Sequence, residues 1–148
     1  MLISYANDVS SEALAGNLQD GITRLNRRLR QVRPVGEITQ TQISALVSIG
    51  LAGSLTPTEL AEVERVQPPT MTKIVAKLEA KGLVERAPHP TDGRQTMLSA
   101  TDLGRDVLSE QRRVKDAWLT RRLDGLTEDE RTTLQAAADL LVRLAREE

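Results

Sequence analysis

The sequence predicts a mainly α-helical chain that carries one small β-hairpin. Three observations predict it. Apolar residues recur at helical spacing along most of the chain, and several of these runs open on a Thr followed three residues later by Glu or Gln. That spacing breaks at Gly82, after which two short strand-like runs flank Pro88-His89-Pro90-Thr91-Asp92-Gly93-Arg94, where Asp-Gly is a strong turn signal. Finally, the composition, 39% hydrophobic and 28% charged with 9 Gly and 6 Pro, is that of a globular chain, and 148 residues suffice for one domain, 1–148.

The first helix is expected over residues 13–32. Leu14, Leu18, Ile22, Leu25, Leu29 and Val32 fall at spacings of 4, 3, 4 and 3 from Leu18 onward, a seam narrower than the face of an ordinary core helix. Arg24, Arg27, Arg28 and Arg30 lie off the seam as a solvated basic face or as phosphate contacts. The second helix starts at a capping box, Thr39 with Gln42, with Ile38 and Ile43 at the staple positions, and ends near Gly53. A short third helix follows from a second box, Thr56 with Glu59, with Pro57 at the first helical position.

Two prolines, Pro68 and Pro69, cannot sit inside a helix but can open one, so a fourth helix runs from there to about Lys81, with Gly82 past its end. Its apolar stripe is Met71, Ile74, Val75 and Leu78. Residues 83–87 and 95–100 form the hairpin. A long helix starts near Thr101-Asp102, and a last one opens at Thr127 with Glu130 and carries Leu134, Ala137, Leu141 and Leu144.

A short helix, a tight turn, a second helix and an immediate hairpin make a winged helix-turn-helix, in which the second helix can enter a major groove and the hairpin an adjacent minor groove. Residues 38–100 are read as this part, and 12–33 and 101–148 as flanking dimerisation helices, with Leu18, Ile22, Leu25, Leu134, Leu141 and Leu144 at the interface. Lys73, Lys77 and Lys81 recur every four residues and form a basic ridge about 110° from the apolar stripe. Gln67, Pro68, Pro69, Thr70 and Thr72 crowd the first turns, which are the turns that reach base edges and whose N-terminus favours a phosphate. On the hairpin, Arg86, Asp92, Gly93 and Arg94 are the candidate contacts: Arg94 can enter a minor groove, with Asp92 holding its guanidinium. His89, between prolines, reads as a plain surface residue.

A net charge of −1 argues against a polyanionic partner until it is counted locally. Between Arg65 and Arg94 six basic side chains face three acidic ones, a local +3 that leaves −4 for the rest of the chain. Phosphate attraction follows the local field, because salt screens beyond about 10 Å.

These pieces together resemble the DNA-binding core of the MarR family of bacterial regulators. The resemblance lies in Thr56-Pro57-Thr58-Glu59-Leu60-Ala61, Thr70-Met71-Thr72-Lys73-Ile74-Val75, Leu78-Glu79-Ala80-Lys81-Gly82-Leu83-Val84, Asp92-Gly93-Arg94-Gln95 and Leu98-Ser99-Ala100-Thr101-Asp102-Leu103-Gly104. It implies a homodimer on palindromic double-stranded DNA, often a repressor relieved by a small aromatic or phenolic effector. Trp118 is read as a core residue or as part of such an effector pocket. Two departures matter: Gln67, where the family has a small cap residue, is a poor N-cap, and the absence of Cys rules out the thiol-based redox sensing of some relatives.

Other functions find little support. The chain has no G-x-S-x-G, no phosphate loop, no metal-ligand cluster and no cysteine, and its single histidine lies in the hairpin, so no enzyme and no cofactor are expected. Aromatic content of 1% argues against stacking platforms for single strands. No apolar run approaches 18 residues and no signal peptide is visible, so the protein is expected in the cytoplasm with no membrane partner. The rival is a winged helix used only for protein–protein contact, which would expose an apolar patch where the lysines stand.

Overall fold

The computed structural model describes residues 9–33 and 36–146 and divides into two compact units, 1–33 and 34–148. The first unit is helix α1, Ser11–Gln31, capped by Ser10, whose hydroxyl accepts from the Ala13 N–H at 3.2 Å. None of its residues is buried, and Leu14, Ile22 and Leu25 stand 45–49% exposed.

The second unit follows the order α2 (Gln40–Ala52), α3 (Pro57–Glu64), α4 (Pro68–Ala80), β1 (Val84–Pro88), β2 (Thr96–Ala100), α5 (Asp102–Leu123), α6 (Glu128–Leu144). The expected elements are all present, with ends differing by one or two residues. The starts of α2, α3 and α6 are full capping boxes, in which Thr39, Thr56 and Thr127 exchange hydrogen bonds with Gln42, Glu59 and Glu130. The β strands pair antiparallel with Val84 opposite Ala100 and Pro88 opposite Thr96. Leu55, before α3, adds a bridge to Leu98 through two backbone hydrogen bonds of 3.0 and 2.7 Å, which fastens the helix-turn-helix to the middle of β2.

The core is aliphatic, as the scarcity of aromatics requires. Leu46 and Ile49 of α2, Leu60 of α3, Met71, Val75 and Leu78 of α4, and Leu98 of β2 are at most 1% exposed. Ile74, expected in the α4 stripe, is only partly buried at the core margin. The Glu64 carboxylate ties α3 to α2 by accepting from the hydroxyls of Ser44, at 2.7 Å, and Ser48. Between α3 and α4 the chain turns at Arg65, which adopts a left-handed conformation at φ 51°.

Thr101 locks the hairpin to α5. Its hydroxyl donates to the Gly82 carbonyl at 2.6 Å and accepts from the Gly104 N–H at 3.0 Å, while its own N–H donates to the Leu83 carbonyl. This draws α5 so close that a Cβ on Gly104 would stand 2.2 Å from the Leu83 oxygen. Since that neighbour is backbone, it cannot swing aside. Gly104→Ala is therefore expected to destabilise the fold by about 2–3 kcal/mol despite alanine's better helix propensity. A melting temperature equal to that of the wild type would show that α5 can move off the hairpin.

Beyond Gly104 and Gln111, α5 buries nothing, and α6 buries no residue at all. Leu134, Leu140, Leu141, Val142 and Leu144 of α6 are 37–73% exposed. Trp118 is not a core residue: it is half-buried, with the Arg122 guanidinium 4.2 Å from its ring centroid. No described helix is long and apolar enough to cross a membrane.

Candidate nucleic-acid interface

Helix α4 presents its polar face because its apolar residues are committed to the core. With Met71, Val75 and Leu78 buried, Thr70, Thr72, Lys73 and Lys77 are left exposed, as are Gln67, Pro68 and Pro69 ahead of them. Gln67 stands at the N-cap with no side-chain cap bond, as its residue type suggested. Prolines at the first two helical positions have no N–H, so among the first three positions only Thr70 brings a backbone donor. The anion-binding power expected of this helix start is thereby reduced, and the cationic side chains must carry more of it. The Thr72 hydroxyl donates to the Pro68 carbonyl at 3.0 Å, which orients the hydroxyl and leaves its oxygen able to accept.

The basic ridge is shorter than its spacing suggests. Lys81 is drawn away from it: its ammonium donates to the Glu37 carbonyl and to Gln42 Oε1, both at 2.8 Å, so it fastens the end of α4 to the start of α2. Lys73 and Lys77 remain, and among the described residues neither forms an ion pair. Also among the described residues, no large exposed apolar side chain lies on α4 or on the hairpin. The patch expected of a purely protein-binding winged helix is not found there.

The hairpin tip is built by side chains accepting backbone N–H groups. Asp92 Oδ1 accepts from the Arg94 backbone N–H at 3.0 Å. This corrects the expectation that Asp92 holds the Arg94 guanidinium: the carboxylate shapes the backbone as an Asx turn, and no ion pair between the two is formed. His89, read from the sequence as a plain surface residue, accepts at Nδ1 from the N–H groups of Thr91, at 3.2 Å, and Asp92, at 3.1 Å. The prolines flanking His89 were the available signal for this role, since they narrow the backbone on both sides of it.

Arg94 and Gly93 are exposed at the tip. Arg86, on β1, is paired with Glu79 of α4 by contacts of 2.6 and 2.7 Å. That hydrogen bond raises the guanidinium pKa from its ordinary value, and partial burial opposes the rise. The contact braces the wing against α4, and any phosphate would have to compete with Glu79 for this guanidinium. The dimerisation candidates divide between the two units. Leu18 of α1 is half-buried, Ile22 and Leu25 are exposed, and Leu134, Leu141 and Leu144 are exposed on α6.

A two-helix turn whose second helix turns a cationic face outward and leads into an antiparallel hairpin defines a winged helix-turn-helix protein. Residues 38–96 match the model of the MarR family. An HTH-type transcriptional regulator of Mycobacterium bovis is 41% identical over 138 residues, covering 93% of this chain and 96% of that protein. The crystal structure of a transcriptional regulator protein from Pseudomonas aeruginosa superposes with a TM-score of 0.82 at 35% identity, covering 91% of this chain and 94% of that one. A MarR variant from E. coli complexed with operator DNA matches with a TM-score of 0.60 at 29% identity, covering 88% and 93%. The chain belongs to the MarR family of transcriptional regulators, a class of regulators and not of enzymes.

Proposed function

We propose that the protein represses transcription by binding a palindromic operator in double-stranded DNA as a homodimer, and that it works in the cytoplasm. In this reading α4 lies in the major groove, with Gln67, Thr70, Thr72 and Lys73 at base edges and Lys77 on phosphate, and Arg94 of the wing enters the adjacent minor groove. The observation that carries it is the outward face of α4: two lysines with no acidic partner among the described residues stand clear of the buried aliphatic stripe. That a MarR variant from E. coli forms a complex with operator DNA supports duplex DNA as the partner.

The dimer rests on a second observation. An amphipathic helix that buries nothing in its own chain has a face left to cover, and both α1 and α6 are of this kind. Residues 12–33 and 101–148 are proposed as the dimerisation part within one domain. Release by a small aromatic or phenolic effector rests on family membership alone.

The test is a titration of duplex DNA with the intact protein at several salt concentrations, with light scattering on the same samples. Binding that weakens steeply with salt, by a particle of twice the chain's mass, is the expected result. No binding at low salt, or a single-chain mass at micromolar concentration, would overturn the corresponding half of the reading.

A further inference from the structure

We propose that His89 is the positioning residue of the wing, its imidazole holding the hairpin tip in the shape that presents Arg94. The inference rests on the reading of the wing as a DNA contact. The tip between β1 and β2 has few backbone bonds of its own: the His89 N–H donates to the Gln95 carbonyl at 3.1 Å, and the Gln95 N–H to the Asp92 carbonyl at 3.0 Å. The N–H groups of Thr91, Asp92 and Arg94 point inward and are taken up by side chains, the first two by His89 Nδ1 and the third by Asp92 Oδ1.

The two acceptors act in series. His89 fixes the backbone at Asp92, and Asp92 fixes the backbone at Arg94. Accepting residues i+2 and i+3 from residue i is the work usually done by Asn, Asp, Ser or Thr. Imidazole can do it because Nδ1 is attached to Cγ, as Oδ1 is in asparagine, so the two acceptors stand at the same reach from the backbone. An accepting Nδ1 carries no proton, which makes the ring the Nε2–H tautomer. Pro88 and Pro90 complete the device: Pro90 confines His89 to extended backbone, so the ring is held over the residues it serves.

The experiment compares operator affinity for the wild type, His89→Asn, His89→Gln and His89→Ala, each alone and combined with Arg94→Ala. Asparagine keeps the acceptor at the same reach, glutamine moves it one carbon further out, and alanine removes it. His89→Asn should bind like the wild type, whereas His89→Gln and His89→Ala should bind about fivefold more weakly, the effect of two hydrogen bonds lost at an exposed turn. Amide exchange at Thr91 and Asp92 should be faster in the two weak binders and unchanged in His89→Asn. In the Arg94→Ala background the three His89 variants should be equal, because the residue they position is gone.

Equal affinities for all three variants in the wild-type background would overturn the role of His89, as would a His89→Ala loss that persists without Arg94. Arg94→Ala binding as tightly as the wild type would instead overturn the reading of the wing as a DNA contact.

Discussion

Replacing Lys77 with alanine is expected to weaken DNA binding at 0.1 M salt by about 60-fold while leaving the melting temperature where it was. Each lysine that neutralises a phosphate releases counterions and contributes about −0.9 to the slope of log affinity against log salt. At 0.1 M that is a factor of ~8 per contact relative to 1 M salt, and the two contacts that a homodimer makes through its two copies of Lys77 multiply. The salt slope should become shallower by about 2, and the loss should extend to non-operator duplex, because phosphate contacts carry no sequence information. Stability should hold because the side chain is exposed, off the face that carries Met71, Val75 and Leu78, and forms no ion pair among the described residues. Binding isotherms at three or four salt concentrations, with a thermal melt of the same preparations, make the measurement. An unchanged slope in the Lys77 variant would remove α4 from the interface.

The second large effect is expected from α1. Ile22 and Leu25 sit on the seam and are 49% and 45% exposed in the single chain. If the seam is a dimer interface, Ile22→Asp with Leu25→Asp places two carboxylates in an apolar contact, where burying an unpaired charge costs several kcal/mol. Light scattering should then report one chain where the wild type reports two. Affinity for a palindromic operator should fall by a factor on the order of 100 or more, because each half-site must be bound without the other as anchor. The melt of the winged part should survive, since its buried core cluster is formed by residues of α2, α3, α4 and the hairpin. A double variant that remains a dimer would move the interface elsewhere.

The two effects separate by salt. The lysine variant loses an electrostatic contribution that high salt removes from the wild type as well, so the two should converge as salt rises. The α1 variant loses linkage between half-sites, and its deficit should persist at every salt concentration at which binding can be measured.

Much of the fold is legible in the sequence because its signals are local. Thr39 with Gln42, Thr56 with Glu59 and Thr127 with Glu130 each close a helix start within four residues, and the backbone bonds they satisfy belong to that same turn. Pro68 and Pro69 declare a helix start by covalent structure alone. The stripe of α4 and the hairpin after Gly82 follow from side-chain periods of 3.6 and 2. The outward face of α4 is therefore also legible, as whatever the stripe leaves over.

The tertiary structure decided which of those outward groups stay free. Lys81 has the spacing of the ridge, but acceptors 44 and 39 residues away, at Glu37 and Gln42, hold its ammonium. Arg86 is as basic as Arg94 in the sequence, yet Glu79 faces it across the junction of α4 and β1, while Arg94 stands at the tip with no such neighbour among the described ion pairs. Gly104 resembles any small residue in a helix until the Leu83 carbonyl is found where its Cβ would go. His89 and Asp92 lie between, since their partners are close in sequence but the choice of backbone over the Arg94 guanidinium depends on how the turn closes. Periodicity and capping depend on neighbours a few residues off, so the chain declares them wherever it is read. Whether a lysine or an arginine is available to a phosphate depends on which acceptor the folded chain brings within 3 Å, and only the packing of one element on another settles that.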